Sequence, residues 1–192
     1  MKEAILRKAK ESAAIKLAFF EENAAGIEAC VRAMAQRLQA GARLWVMGNG
    51  GSACDADHLA VEFTHPILEK RRPFPAASLL HVATLTAVGN DRDFARVFEE
   101  QLDVLAAAGD VAIGISTSGA STNVVRGLRH ARKKGLLTIG FAGRDGGQLP
   151  DVCDHCFTVK TWSIHRIQEV HTTLLHVLWD QIHVALGEED VL

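Results

Sequence analysis

Five short apolar runs punctuate the chain, each followed by a turn and then by a helical pattern: Arg43–Met47, Ala76–Leu80, Val111–Ile115, Leu136–Phe141 and Cys156–Val159. A strand wetted on one face alternates apolar and polar residues. Runs as uniformly apolar as these belong in a parallel sheet that helices cover on both faces. The alternation predicts an α/β fold with a doubly wound, five-stranded parallel sheet, and ligands held outside the carboxyl ends of its strands. Chemistry is therefore to be sought in the loops that follow the strands.

Residues 3 to about 40 precede this pattern and read as two helices, the second carrying Ile27, Cys30, Val31, Met34 and Leu38 at the spacing of one buried stripe before Gly41 stops it. They form an N-terminal helical extension, 1–40, to a 41–192 α/β domain. Helices that cannot cover their own apolar stripe pack on a neighbour, and a second subunit is one candidate. A formal net charge of −2 gives no pull toward nucleic acid or an anionic membrane. The N-terminus is charged throughout, and no stretch approaches the ~18 apolar residues that span a bilayer, so a cytoplasmic protein is expected. Four scattered cysteines agree with a reducing compartment. Cys153 and Cys156 match CxxC, but no second ligand pair lies nearby, which favours two small apolar residues at the start of a strand over a zinc or redox pair.

The first loop, Gly48-Asn49-Gly50-Gly51-Ser52, follows a strand and opens a helix. Its glycines allow close backbone approach, and Ser52 can cap the helix while the first-turn amides face an anion. It is neither GxGxxG nor GxxxxGK[ST], which disfavours a dinucleotide or nucleoside triphosphate and leaves an anion cradle or a bare tight turn. The third strand runs into Ser116-Thr117-Ser118-Gly119-Ala120-Ser121-Thr122-Asn123, with five hydroxyls in seven residues before a helix over Val124–Lys134. One oxygen suffices for a cap, so the excess suggests a cradle for a phosphate monoester; a solvated Ser/Thr loop is the plain alternative.

His58 and Glu62 lie four apart on the helix after the first loop and share a face. On the last helix, about Ile164 to Leu186, the residues Ile167, Val170, Leu174, Leu178, Ile182 and Ala185 form the stripe that faces the sheet. His176 and His183 fall nearly opposite it, with Gln168, Thr172 and Trp179 between. Trp179 sits poorly in open water, which predicts a second buried face, most simply a subunit contact. Gln168 and His176 are about 12 Å apart along a helix. A single site using both requires an irregular helix start or two copies of the chain; the alternative is that these are ordinary polar interface residues.

Taken together, GNGGSACDADHLAVEF, AVGNDRDF, AIGISTSGASTNV, AGRDGG and RIQEVHTTLLH resemble the phosphoheptose isomerases of the sugar-isomerase (SIS) fold, over nearly the whole chain. The resemblance implies a flavodoxin-like sheet and a cytosolic homotetramer with active sites at subunit interfaces. The implied activity converts D-sedoheptulose 7-phosphate to D-glycero-D-manno-heptose 7-phosphate, toward the heptose of lipopolysaccharide or other glycans. It implies one zinc per subunit on His58, Glu62, Gln168 and His176. Substrate contacts are implied at Asn49, Gly50, Gly51, Ser52, Glu62, Asn90, Asp91, Ser116, Thr117, Ser118, Ser121 and Gln168. Glu62 is then the base and His176 the acid of an isomerisation through an enediol, with the metal either catalytic or a displaceable occupant.

Two stretches depart from the family pattern. Thr161-Trp162-Ser163-Ile164-His165 lacks the aspartate that some members carry there, and Thr64-His65-Pro66-Ile67-Leu68 ends the first active helix with a proline. Other readings are a non-catalytic SIS tetramer that binds the bacterial replication initiator, an isomerase of another phosphosugar, and a sugar-phosphate-sensing module of a regulator. The last lacks an attached helix-turn-helix segment. The first need not retain His58 and Glu62.

Overall fold

The structure, a computed structural model, describes residues 1–67 and 70–190; Leu68, at the end of the Thr64–Leu68 stretch, lies outside them. All five expected strands form: β1 Leu44–Gly48, β2 Ala76–Ser78, β3 Val111–Ser116, β4 Leu137–Gly143 and β5 His155–Val159. They pair in parallel in the order β2-β1-β3-β4-β5. The chain winds outward from β1 to β2 on one side and from β3 to β5 on the other, so β1 and β3 flank the switch point of a flavodoxin-like sheet.

Among the described residues seven α-helices complete the fold: α1 Lys2–Gln39, α2 Gly51–Thr64, α3 Val82–Asp91, α4 Val97–Leu105, α5 Thr122–Lys133, the short α6 Leu149–Val152 and α7 Ile164–Ala185. On one face α1, α2 and α7 close a core around Val46, Ile113, Ile139 and Phe157. On the other, α4 and α5 close a second core around Met47, Phe98, Ala112 and Leu128. β1, β3 and β4 are buried at every position, as their uniform hydropathy requires. None of the described helices is long and apolar enough to cross a membrane.

The two N-terminal helices expected from the sequence are one helix of 38 residues. Nothing in its interior stops it, because the lone Gly26 is tolerated there and its Cα faces the Phe157 ring. Its stripe from Phe19 to Leu38 joins the core shared with α7 and the sheet. The first four turns reach beyond that core, tied by the Ser12 hydroxyl, which donates to Glu169 at 2.5 Å.

Candidate functional site

Both glycine- and hydroxyl-rich loops stand side by side at the carboxyl ends of β1 and β3. In the first, Gly50 adopts a left-handed φ of 56° and takes the cap position of α2, which glycine does without strain. Ser52 therefore lies inside the first turn, buried, rather than capping the helix as expected; its amide donates to Asn49 O at 3.0 Å. In the second loop Ser116 Oγ lies 2.9 Å from Ser121 Oγ and 3.4 Å from Ser118 Oγ, so the hydroxyls face one another. Ser121 precedes α5 without capping it. Gly119 is pressed into the loop after β4: a Cβ there would lie 1.9 Å from Gly146 O, at a φ of 62°. Gln148 N–H donates to Gly119 O at 2.8 Å and completes the lock.

α2 and α7 run alongside in the same direction, and successive turns of each meet as rungs. At the first rung Gly51 faces Gln168, so closely that a Cβ on Gly51 would lie 2.2 Å from Gln168 Nε2. At the second, Thr172 Oγ1 donates to Asp55 Oδ1 at 3.1 Å. At the third, His58 Nε2 lies 3.2 Å from His176 Nε2, with the imidazoles edge to face. Glu62 Oε1 stands 3.2 Å from His58 Nε2, one turn further along α2. Asp55 is buried between the outer rungs with Oδ2 unpartnered. Burial pushes its carboxyl above the usual range, while the Thr172 hydroxyl and nearby His58 pull it partly back.

The atoms of His58, Glu62 and His176 all lie within 4.8 Å of one another. Four ligands at zinc's bond lengths of about 2.0–2.1 Å stand about 3.3 Å apart around a tetrahedron. The two 3.2 Å separations at His58 match such edges. Two imidazole nitrogens and a carboxylate are also the donor set that a borderline cation takes, so the residues fit a metal.

A family model described as SIS domain matches residues 9–143. The phosphoheptose isomerase of Aquifex aeolicus is 44% identical over 180 residues, 93% of this chain and 94% of that protein. The chain belongs to the SIS-domain family, among its phosphoheptose isomerases. Solved structures agree. The phosphoheptose isomerase of Neisseria gonorrhoeae matches with a TM-score of 0.88 at 34% identity, over 94% of this chain and 97% of that one. That of Francisella tularensis matches with a TM-score of 0.90 at 30% identity, over 95% and 97%. The chain is an isomerase, and the non-catalytic reading is not favoured.

Within this isomerase several expectations need correction. Trp179 does cover a second face of α7, but inside its own chain: it is 2% exposed, with the Arg71 guanidinium 4.9 Å from its ring centroid and His183 packed against it. His183 is fully buried and bonded to Glu188 at 3.0 Å, not presented to solvent or a partner. α7 is regular, and within one chain Gln168 and His176 meet different rungs of α2, so a single site using both still requires a second copy. Asn90 and Asp91 end α3, exposed, and their side chains bond to each other at 2.8 Å; no contact among the described residues draws them toward the rungs. In the stretch without the family's aspartate, Trp162 is exposed beneath the Arg144 guanidinium at 5.3 Å, and His165 is also exposed. Cys153 and Cys156 flank Gly140, and burial raises both thiols, as befits small apolar fillers.

The sequence reading missed Asp55, Thr172 and Asn123. Asp55 was within reach, since it lies three and seven residues before His58 and Glu62 on the same helical face. Asn123 closes the hydroxyl-rich segment, where by sequence alone it is one more polar turn residue.

Proposed function

We propose that the chain interconverts D-sedoheptulose 7-phosphate and D-glycero-D-manno-heptose 7-phosphate, in the cytoplasm, as a step of heptose supply for lipopolysaccharide or other glycans. The observation that carries this reading is the convergence of Glu62, His58 and His176 on a helix pair that starts at two anion cradles at the β1/β3 switch point. The hydroxyls of Ser116, Thr117, Ser118 and Ser121 and the backbone of Asn49, Gly50, Gly51 and Ser52 suit the phosphate and the neighbouring sugar hydroxyls. With the sugar so anchored, Glu62 takes the proton from C1 while His176 protonates the C2 oxygen, giving the cis-enediol. Glu62 then delivers its proton to C2, and His176 recovers one from the C1 oxygen, so the protons balance.

His58, Glu62 and His176 would hold a zinc ion, which when bound supplies Lewis-acid polarisation of the carbonyl; Gln168, the fourth ligand by resemblance, stands at the cradle end of α7 and would come from a second copy of the chain. Asn90 and Asp91, set apart on an α3 that buries no residue, suit the reading that the active sites of a homotetramer are completed at subunit interfaces. The long α1 is then the element for oligomer packing.

The test is incubation of purified protein with sedoheptulose 7-phosphate, with and without chelator, following the aldose product. Product that disappears on chelation and returns with zinc is expected. No product under any metal condition would refute the assignment.

A further inference from the structure

The two cradle loops are joined by a reciprocal amide pair. Asn49 Nδ2 donates to Asn123 Oδ1 at 2.9 Å, and Asn123 Nδ2 donates back to Asn49 Oδ1 at 2.9 Å. Asn49 belongs to the loop after β1, and Asn123 to the first turn of α5 behind the hydroxyl loop. A reciprocal pair alone fits equally well with both amides turned over. Here the Val124 N–H settles the orientation, because it donates to Asn123 Oδ1 at 3.0 Å and only an oxygen can accept it. With Asn123 fixed by its own helix, Asn49 has one orientation left.

A primary amide has two N–H donors and two acceptor lone pairs. Asn123 is 3% exposed and commits both lone pairs, one to Val124 and one to Asn49. Asn49, half-buried, commits one N–H and one lone pair to Asn123. It keeps one donor and one acceptor on the same rigidly held amide, which is the complement of a hydroxyl, itself both donor and acceptor.

We propose that Asn123 is a positioning residue of the isomerase: it acts on the substrate only through Asn49, holding that amide to meet a sugar hydroxyl and tying the first loop to the hydroxyl loop. This rests on the reading of Asn49 as a substrate contact. A misplaced contact raises KM and also lowers kcat, since a shift of about 1 Å costs up to about a hundredfold in rate.

A double-mutant cycle tests it, with kcat and KM measured on sedoheptulose 7-phosphate and thermal midpoints taken in parallel. Asn49→Ala and Asn123→Ala are each expected to lower kcat/KM by about tenfold or more, about the weight of one well-placed hydrogen bond. The double variant is expected to be no worse than Asn49→Ala alone, although Asn123→Ala still lowers the midpoint in either background. Asn123→Asp keeps the acceptor for Val124 and Asn49 Nδ2 but cannot donate to Asn49 Oδ1, and should fall between wild type and Asn123→Ala. Multiplying losses in the double variant, or wild-type kcat/KM in Asn123→Ala, would overturn the positioning role. Wild-type kcat/KM in Asn49→Ala would instead overturn the substrate contact on which it rests.

Discussion

Acid should cost this protein a definite part of its stability through one side chain. His171 lies on α7 with no exposed surface, its Nε2 3.0 Å from Ala142 O and its ring beside Phe141 at 5.7 Å. The carbonyl accepts, so Nε2 carries the hydrogen of the neutral ring, and Nδ1 is left buried without a partner. A second proton at Nδ1 would place a charge in dry surroundings with nothing to receive its N–H. Burial accordingly lowers the imidazole from 6.5 to about 4, partly opposed by the bond to Ala142.

Because the folded value is the depressed one, the unfolded chain takes up this proton first as pH falls. The contribution is fully present above about pH 6.5, is lost as pH falls toward 4, and changes no further below that. Between pH 7 and pH 5 the linkage amounts to about 2 kcal/mol, or roughly 1 M in the midpoint of urea unfolding. His171→Gln keeps a donor for Ala142 O and never titrates. Urea unfolding of both proteins at pH 7 and pH 5, at one protein concentration, should show the wild type losing about 2 kcal/mol more than the variant. Every other titrating group is common to both and cancels. Parallel pH dependences would refute the argument, whatever the variant's stability at pH 7.

Glu62→Gln keeps the size and hydrogen-bonding reach of the side chain but removes the carboxylate proposed as the base, and should cut kcat by at least about a hundredfold in the isomerisation assay with an unchanged melting midpoint. Gly51→Ala places a methyl group 2.2 Å from Gln168 Nε2, so Gln168 must move; kcat/KM should drop by about tenfold or more while stability changes by less than about 1 kcal/mol, because alanine suits the first helical turn. Arg71→Met strips the buried guanidinium from Asp180, which it meets at 2.6 Å; denaturant unfolding should register a loss of about 3–5 kcal/mol, most of it recovered by adding Asp180→Leu.

The strands were legible because burial on both faces leaves a uniform apolar signature, and the loops because the chemistry of glycine and serine is local. The far side of α7 was not. Its stripe of Ile167, Val170, Leu174, Leu178 and Ile182, with His171 among them against β4, is buried as periodicity requires, but so are Trp179, Asp180 and His183. Periodicity finds a face that water avoids without saying what covers it. Here the cover includes α1, continuous where two helices were expected, and Arg71, which bonds Asp180 and stacks on Trp179 from more than a hundred residues away. A Trp with such a neighbour reads, from sequence alone, like a residue awaiting a second subunit.

The same limit explains the paradox of Gln168 and His176. Two turns apart, they cannot converge on one point of their own helix. That leads to a second copy only if the target is a point. The target is another helix, running in the same direction and offering Gly51, Asp55 and then His58 at matching intervals. Glu62 follows His58 by one turn, so the cluster forms at the far end of the ladder while Gln168 stays at the cradle end. The spacing between the two ends of the site is then set by the helical rise, which side-chain motion cannot alter. Thr172 and Asp55 hold the two helices in register. An ion or substrate atom that engages Gln168 together with the far-end cluster therefore requires a second copy of the chain.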